Sequence, residues 1–281
     1  MEAIDCSTIL TATTAAALKT AGIVAIGRYL GYETQGWSKS LTPDELKIIQ
    51  AAGLVVFLIW ESNPTTAGYF SYSKGVSDAK SALEEATFLG APKSTAIYFT
   101  VDFDAQASDM ASIIEYFRGA REGLNSQYLV GAYGSYNVLQ ALRASSYAPD
   151  KYFQTYAWSS GMILSGNDIY QYQNDVILQE ISVDHDLIQY NSGCWPEMGG
   201  DEMKLDTLVL YYGDADLQIA ADLALHFSCP IIQAAYATTD LLASATTKYQ
   251  VGGSSAPAGV TLLAGADRFD TMKAVLKEMG K

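Results

Sequence analysis

The stretch Ala96–Asp104, which reads AIYFTVDFD, combines a short apolar run with two carboxylates. The run from Ala96 to Val101 is typical of a parallel strand that is buried on both faces. Asp102 and Asp104 follow it directly, and in an extended chain their Cα atoms lie about 7 Å apart with both side chains on one face. The stretch therefore predicts a buried strand that presents a pair of carboxyl groups at its end.

Similar apolar runs lie on both sides of this stretch, separated by helix-compatible segments. With the first strand at Ala3–Asp5, five strand–helix units fit into the first 145 residues. Three further strands are predicted over residues 152–158, 168–173 and 181–188, but their connections are too short and too rich in Gly, Ser and Asn for full helices. We therefore expect an α/β fold, a TIM-like barrel with eight strands and about five helices.

The strand–helix alternation stops at the segment NSGCWPEMGGDE, residues 191–202, whose Gly, Pro and acidic content is typical of a linker. We predict the barrel over residues 1–191, a linker over 192–204 and a small module over 205–281. Within the module, strands are predicted over 207–211, 230–233 and 260–263, and helices over 215–226, 239–249 and 268–279. This pattern predicts a three-strand parallel α/β unit.

Composition excludes several partners. The formal net charge of −14 argues against binding to nucleic acid or to an anionic membrane surface, because both require a basic face. No run of 18 apolar residues occurs, and the first residues lack the basic and apolar regions of a signal peptide. The three widely spaced cysteines favour reduced thiols in a protein made in the cytoplasm.

Side chains at the carboxyl ends of barrel strands converge on one mouth, and here those ends carry mainly acids and aromatic residues. Carboxylates can act as acid and base, and aromatic rings provide flat surfaces for sugars. The candidate catalytic residues are Asp5, Glu61, Asp102, Asp104 and Asp184. The candidate substrate-binding residues are Arg28, Tyr29, Tyr133, Tyr156, Trp158 and Gln171.

The pair Asp102 and Asp104 has the clearest chemical meaning. Two carboxylates this close cannot both stay ionised in a partly dry pocket, so one pKa should rise, as glycoside hydrolysis requires. An isolated Asp-x-Asp more often caps a helix or binds a cation, but the other strand-end acids favour the catalytic interpretation. Glu61 is a second candidate acid, because the preceding Trp60 would raise its pKa; an ion pair with Arg28 is the competing interpretation.

The sequence lacks the residues that other kinds of active site require. The two histidines, His185 and His226, are too few for a zinc site or a Ser-His-Asp arrangement. The turn Gly213–Asp216 lacks the Gly-rich loop that binds phosphate, and its acids would repel that group. We therefore expect neither a metal nor a cofactor. Cys6 follows Asp5 on the first strand, so it should face the helices as a core thiol.

With these residues identified, the first 190 positions resemble the glycoside-hydrolase-like barrel domain related to glycoside hydrolase family 25, the phage and bacterial lysozymes. The resemblance implies cleavage of the β-1,4 bond between N-acetylmuramic acid and N-acetylglucosamine, with Asp5, Asp102, Asp104 and Asp184 at the catalytic positions. The matching stretches are Ala3–Thr8, Gly27–Gly31, Ile97–Asp104, Gly131–Tyr136, Gln154–Trp158, Tyr170–Tyr172 and Val183–Asp184.

The family motif on the fourth strand is Asp-x-Glu, with Glu as the general acid, whereas this chain has the shorter Asp104. Three interpretations follow. Asp104 is the acid through a shifted backbone, with Asp102 as stabiliser or nucleophile; or Glu61 donates the proton; or the barrel binds glycan without cutting it.

The carboxyl-terminal module resembles more loosely a single type-two cell-wall-binding repeat, through the stretch Gly265–Asp270, which reads GADRFD. That resemblance implies binding to wall polymers, and a single copy is also compatible with a homo-oligomer. The two resemblances together imply a phage or prophage endolysin. Such a protein is made in the cytoplasm of the bacterial host, acts at the cell wall and has peptidoglycan as its partner.

Overall fold

The computed structural model describes residues 1–189, 191–196, 205–227, 229–237, 239–243 and 245–281. The chain forms two compact units, Met1–Met198 and Gly199–Lys281. No helix among the described residues combines the length and the apolar character that crossing a bilayer requires.

The first unit is a closed barrel whose eight strands neighbour one another in chain order. The strands are β1 (Glu2–Asp5), β2 (Ala25–Tyr29), β3 (Val55–Trp60), β4 (Ala96–Thr100), β5 (Leu129–Gly134), β6 (Lys151–Thr155), β7 (Ile169–Leu178) and β8 (Ile181–Ile188). The helices are α1 (Ala12–Thr20), the single turn α2 (Tyr32–Gln35), α3 (Pro43–Ala51), α4 (Tyr72–Leu89), α5 (Met110–Leu124) and α6 (Tyr136–Ala144). The predicted barrel is confirmed: among the described residues of the first unit, five helices have nine residues or more, and none of them follows β6.

Strand β8 runs antiparallel to both of its neighbours, β7 and β1. A TIM-like barrel implies a parallel eighth strand, but the two-residue turn at Gln179 and Glu180 leaves no room for a crossover. Both turn residues have positive φ, as a tight hairpin requires. Because β8 is reversed, Asp184 near its start lies opposite Asp5 at the mouth, and Asp186 lies one layer deeper, opposite Ala3.

Aromatic side chains fill the barrel below the mouth. Phe57, Tyr98 and Phe153 meet edge to face, with ring centroids 5.6 to 6.2 Å apart. Gly27 and Gly131 make room for them, because a Cβ at either position would collide with Phe57 or Tyr98. These rings form a dry floor beneath the strand ends.

Residues at the start of the predicted linker pack against the barrel. Trp195 exchanges two backbone hydrogen bonds with Val56, of 2.7 and 2.8 Å, and the Tyr98 hydroxyl donates to the Ser192 carbonyl at 2.8 Å. Cys194 is buried in the same cluster as Tyr98. The segment 192–195 therefore belongs to the barrel unit, since its apolar side chains outweigh the linker-like Gly and Pro around them; residues 197–204 of the predicted linker lie outside the described residues.

The second unit is a four-stranded parallel sheet in the order β10-β9-β11-β12, with helices packed against it. Its elements are β9 (Leu205–Tyr211), α7 (Asp214–His226), β10 (Ile231–Gln233), α8 (Thr239–Ala243), β11 (Ala245–Val251), β12 (Thr261–Leu263) and α9 (Arg268–Glu278). The sequence predicts three of these strands. The helix predicted over 239–249 is wrong beyond Ala243, because the β-branched and alternating stretch ATTKYQV forms the fourth strand, β11, in the middle of the sheet.

The stretch that resembles a cell-wall-binding repeat has a local structural role. The Asp267 side chain caps α9 by accepting a hydrogen bond from the Asp270 amide at 2.9 Å. Gly265 leaves space for Asp270, since a Cβ there would collide with that residue. Arg268 and Phe269 project outward, and the Phe269 side chain is 71% exposed. Wall binding by this unit stays a prediction.

Candidate active site

A cavity of about 230 Å³ opens where the barrel strands end, and we call it the mouth cavity. It brings together four of the five predicted carboxylates and three of the predicted binding residues. Its lining residues are Asp5, Tyr29, Ile59, Glu61, Thr100, Asp102, Tyr133, Phe153, Gln171, Asn174 and Asp184.

One amide side chain connects two of these carboxyl groups. Gln171 Nε2 lies 2.9 Å from Asp5 Oδ2 and 3.2 Å from Asp184 Oδ2, and donates to both. Gln171 Oε1 accepts a hydrogen bond of 2.8 Å from the Tyr133 hydroxyl, and the Tyr29 hydroxyl donates to Asp5 Oδ1 at 3.2 Å. The network fixes the positions of both carboxyl groups before any ligand enters.

Burial favours the neutral form of several of these acids. It raises the pKa of Asp5 to about 8, and the nearby Asp184 adds to the effect while the Gln171 hydrogen bond opposes it. Burial also raises the pKa of Asp102, reinforced by Glu61 and opposed by Lys39. The pKa of Asp184 rises mainly through burial as well. These are the conditions under which a carboxyl group can carry a proton to a substrate.

Glu61 has a different environment, because Lys39 Nζ lies 2.6 Å from its Oε1. The ammonium group also lies 4.1 Å from the centroid of the Tyr29 ring. Lys39 was missed by the sequence analysis, since it precedes α3 in a loop and no strand-end pattern marks it.

Neither sequence-based interpretation of Glu61 describes its surroundings. The Trp60 ring is buried on the helix side of the strand, 5.3 Å from the Trp37 ring, so it does not line the mouth cavity beside Glu61. Arg28 pairs with Glu45 instead, with Nε 2.9 Å from Oε1, and both side chains are almost fully buried. Arg28 was predicted to bind substrate, and that prediction is wrong, because the side chain lies between the barrel and α3.

Asp102 lines the wall of the mouth cavity. Its backbone amide donates to the Pro64 carbonyl at 3.1 Å, but its carboxyl group makes no hydrogen bond within the described ranges of the chain. A carboxyl group with a raised pKa and free oxygens at a cavity wall is suited to donate a proton.

Asp104 does not join the other carboxylates. Strand β4 ends at Thr100, and the chain then turns, with the Ala105 amide donating to the Phe103 carbonyl at 2.8 Å. The extended geometry that would have placed Asp102 and Asp104 on one face therefore stops too early. Asp104 lies instead in a neighbouring groove of about 860 Å³, together with Trp158.

Tyr156 and Asp186 also lie outside the lining of the mouth cavity. Tyr156 was predicted to bind substrate, but it lines neither cavity and is 44% exposed. Asp186 was not selected, yet it is fully buried, and neither of its carboxyl oxygens has a hydrogen-bond partner among the described residues. Its spacing of two from Asp184 on a strand is the signal that it faces the barrel interior. Burial raises its pKa well above the usual value, and the neighbouring Asp5 adds to the effect.

The buried acids predict a stability that depends on pH. The folded protein keeps a proton on Asp5 up to about pH 8, whereas the unfolded chain releases it near pH 4, so the free energy of unfolding should fall as pH rises through this range. Asp186 contributes in the same direction. We therefore expect Asp186→Asn to raise the unfolding free energy by more than about 1 kcal/mol at pH 8, and by less at pH 5.

Urea unfolding at the two pH values measures this difference. All four tryptophans, Trp37, Trp60, Trp158 and Trp195, belong to the barrel unit, so their fluorescence reports on that unit alone. If Asp186→Asn changed the unfolding free energy equally at pH 5 and pH 8, this would contradict the expectation that Asp5 and Asp186 are protonated in the folded state.

No three His, Cys, Asp or Glu side chains in the described part of the chain are arranged to hold a metal ion. The three cysteines are free, and Cys6 is buried in the helix-facing core as predicted.

The closed barrel with a carboxylate-lined mouth defines a glycoside-hydrolase-like protein. A family model described as "Rv2525c-like, glycoside hydrolase-like domain" matches residues 16–191. The chain belongs to this family.

Comparisons with individual proteins agree on the fold. The uncharacterized protein YbfG of Bacillus subtilis is 36% identical over 186 residues, covering 62% of this chain and 25% of YbfG. The chain spans about a quarter of the length of the curated relatives it matches, because the matched region covers 25% of each relative. The crystal structure of the Mycobacterium tuberculosis Tat-secreted protein Rv2525c with L-tartrate matches at a TM-score of 0.60 and 19% identity, covering 69% of this chain and 98% of that chain.

A glycosyl hydrolase 25 of Streptococcus pneumoniae, the virulence factor GHIP, matches at a TM-score of 0.46 and 15% identity, covering 67% of this chain and 86% of that chain.

Proposed function

We propose that the barrel unit is a peptidoglycan hydrolase that cleaves the β-1,4 bond between N-acetylmuramic acid and N-acetylglucosamine. One observation carries the proposal: the mouth cavity holds carboxyl groups in two contrasting environments. Asp102 has a raised pKa, and its carboxyl group has no hydrogen-bond partner within the described residues, while Glu61 is paired with Lys39. Glycoside hydrolysis needs such a contrast, because one carboxyl group must be protonated and the other charged.

The roles follow from these environments. Asp102 donates its proton to the glycosidic oxygen as the bond between that oxygen and the anomeric carbon breaks. A water molecule then adds to the anomeric carbon and gives up a proton to Asp102, which completes the hydrolysis and restores the acid. Glu61, paired with Lys39, stabilises the positive charge that develops on the sugar ring. The bridge from Asp5 through Gln171 to Asp184 offers fixed donors and acceptors to the polar groups of the same sugar. The site of action under this proposal is the bacterial cell wall.

The reaction is tested by incubating the full chain with purified peptidoglycan and measuring new reducing ends over time. We expect their number to rise linearly with enzyme concentration and to be unaffected by chelators, since the proposed roles are all filled by side chains. An absence of new reducing ends with walls from several bacterial species would overturn the proposal.

A second candidate is a non-catalytic barrel that binds wall glycan. The position of Asp104 favours it, because the residue at the place of the lysozyme general acid lies outside the mouth cavity. This candidate predicts that the protein co-sediments with purified walls and releases no reducing ends. The same incubation therefore distinguishes the two functions when pellet and supernatant are both analysed.

A further inference from the structure

The groove that contains Asp104 and Trp158 has no role in the proposed reaction, and we call it the side groove. It encloses about 860 Å³ between the loop after β4, the start of α5, one face of α6 and the loop after β6. Its polar lining consists mainly of Asp104, Gln106, Asn137 and Gln140, and its largest aromatic surface is Trp158.

Trp158 is held at the groove by an unusual backbone. Its φ is 54° and that of Ser160 is 52°, a left-handed conformation that bulky residues rarely adopt. Between them, the Ser159 hydroxyl donates to the Thr155 carbonyl at 2.6 Å and accepts from the Tyr136 amide at 2.9 Å. The anchored turn leaves the Trp158 side chain 40% exposed instead of packing it in the core. Backbone strain of this kind is concentrated at functional sites.

The polar groups of the side groove restrict its ligand. Gln106, Asn137 and Gln140 offer neutral donors and acceptors, and Asp104 offers an acceptor. No Lys, Arg or His is present among the described residues that line the groove, so a phosphate or carboxylate would find no opposite charge. A flat aromatic surface beside neutral amides instead fits a sugar ring with hydroxyl and acetamido groups.

The side groove and the mouth cavity are neighbours along the chain. Asp102 lines the cavity and Asp104 lines the groove, so only Phe103 separates the two linings at the end of β4. A single linear ligand that crosses this segment would occupy both.

We propose that the side groove binds the glycan strand next to the sugar held in the mouth cavity. Trp158 stacks on the face of one N-acetylated sugar, and Asp104 and Asn137 accept and donate hydrogen bonds to its polar groups. The inference rests on the proposed function for the identity of the ligand, an uncharged chain of N-acetylated sugars. It also gives Asp104 a role as a binding residue and not as the acid.

The test uses the full chain carrying Asp102→Asn, so that no sugar is cut during the measurement. Calorimetric titration compares the hexasaccharide and the disaccharide of β-1,4-linked N-acetylglucosamine. We expect Trp158→Ala to weaken hexasaccharide binding about tenfold, since an aromatic contact of this kind is lost. Disaccharide affinity should change less than about twofold, because the mouth cavity is intact. Trp158→Phe, which keeps a ring, should recover most of the hexasaccharide affinity.

Phe88→Ala is the matched control, because Phe88 is a half-exposed aromatic residue on α4, outside both linings. Unchanged hexasaccharide affinity in Trp158→Ala, or no binding of the hexasaccharide by the parent protein, would overturn the inference. Failure of the proposed function is seen separately, as an absence of new reducing ends with the wild-type chain.

Discussion

Replacement of Asp102 by asparagine is expected to reduce the release of reducing ends from peptidoglycan by at least about 100-fold. Asparagine has nearly the same shape but no proton to donate to the glycosidic oxygen. The carboxyl group of Asp102 makes no hydrogen bond within the described residues, so its replacement breaks no contact that supports the fold. Initial rates on purified walls, measured for both proteins at equal concentration, give the ratio directly.

Asp44→Asn is the control for this experiment, because Asp44 is an exposed aspartate on α3 whose carboxylate pairs, among the described residues, with Lys47 alone. It should retain the wild-type rate. Asp104→Asn should raise KM while changing kcat less than about threefold, since its side chain contributes only binding. If Asp104→Asn lost as much kcat as Asp102→Asn, the proton donor would be Asp104 and the assignment of roles made above would be wrong.

Replacement of Arg28 by methionine is expected to destabilise the barrel unit by about 3 to 5 kcal/mol. The substitution leaves the carboxylate of Glu45 buried without its cation, where Arg28 Nε and Nη2 had lain 2.9 and 3.1 Å from its two oxygens. The Arg28 side chain also donates to the carbonyls of Cys6 and Lys39, which would lose a donor. Urea unfolding followed by tryptophan fluorescence measures the change in the barrel unit.

Two variants separate the buried charge from other effects. The double variant Arg28→Met with Glu45→Leu should recover most of the lost stability, because it removes both charges together. Lys47→Met breaks the exposed pair with Asp44, whose side chains are 74% and 89% exposed, and should cost less than about 1 kcal/mol. An effect of Arg28→Met as small as that of Lys47→Met would show that the Arg28 site is open to water.

The barrel was predictable because its strands are buried on both faces. Such strands have nearly continuous apolar sequences, and here helical segments separate them. Three carboxylates of the mouth cavity, Asp5, Glu61 and Asp102, were predictable for a related reason: each lies at or just after the carboxyl end of a strand, and the closed barrel brings those ends together. Asp184 was found although its strand is reversed, since its register opposite Asp5 places it at the same level.

The errors have identifiable physical causes. Asp104 was misplaced because the extended geometry was assumed to continue past Val101, where the chain in fact turns. Arg28 was misplaced although the alternation of side chains along a strand argues against the predicted position. Arg28 and Tyr29 are neighbours on a strand and cannot both face the interior. Lys39 lies in a loop. Loop residues follow no periodic pattern, so the sequence does not predict which strand end Lys39 approaches. In the second unit, packing in the middle of a sheet overrode the helical interpretation of residues 245–249.

The central claim is that the mouth cavity cleaves the glycan bond after N-acetylmuramic acid with Asp102 as the proton donor. Mass spectrometry of the soluble fragments released from purified, borohydride-reduced walls tests it most directly. We expect disaccharide–peptide fragments that end in N-acetylmuramic acid with the wild-type chain, and at least about 100-fold fewer with Asp102→Asn. Release of only peptide stems, or of fragments that end in N-acetylglucosamine, or equal release by Asp102→Asn would contradict it.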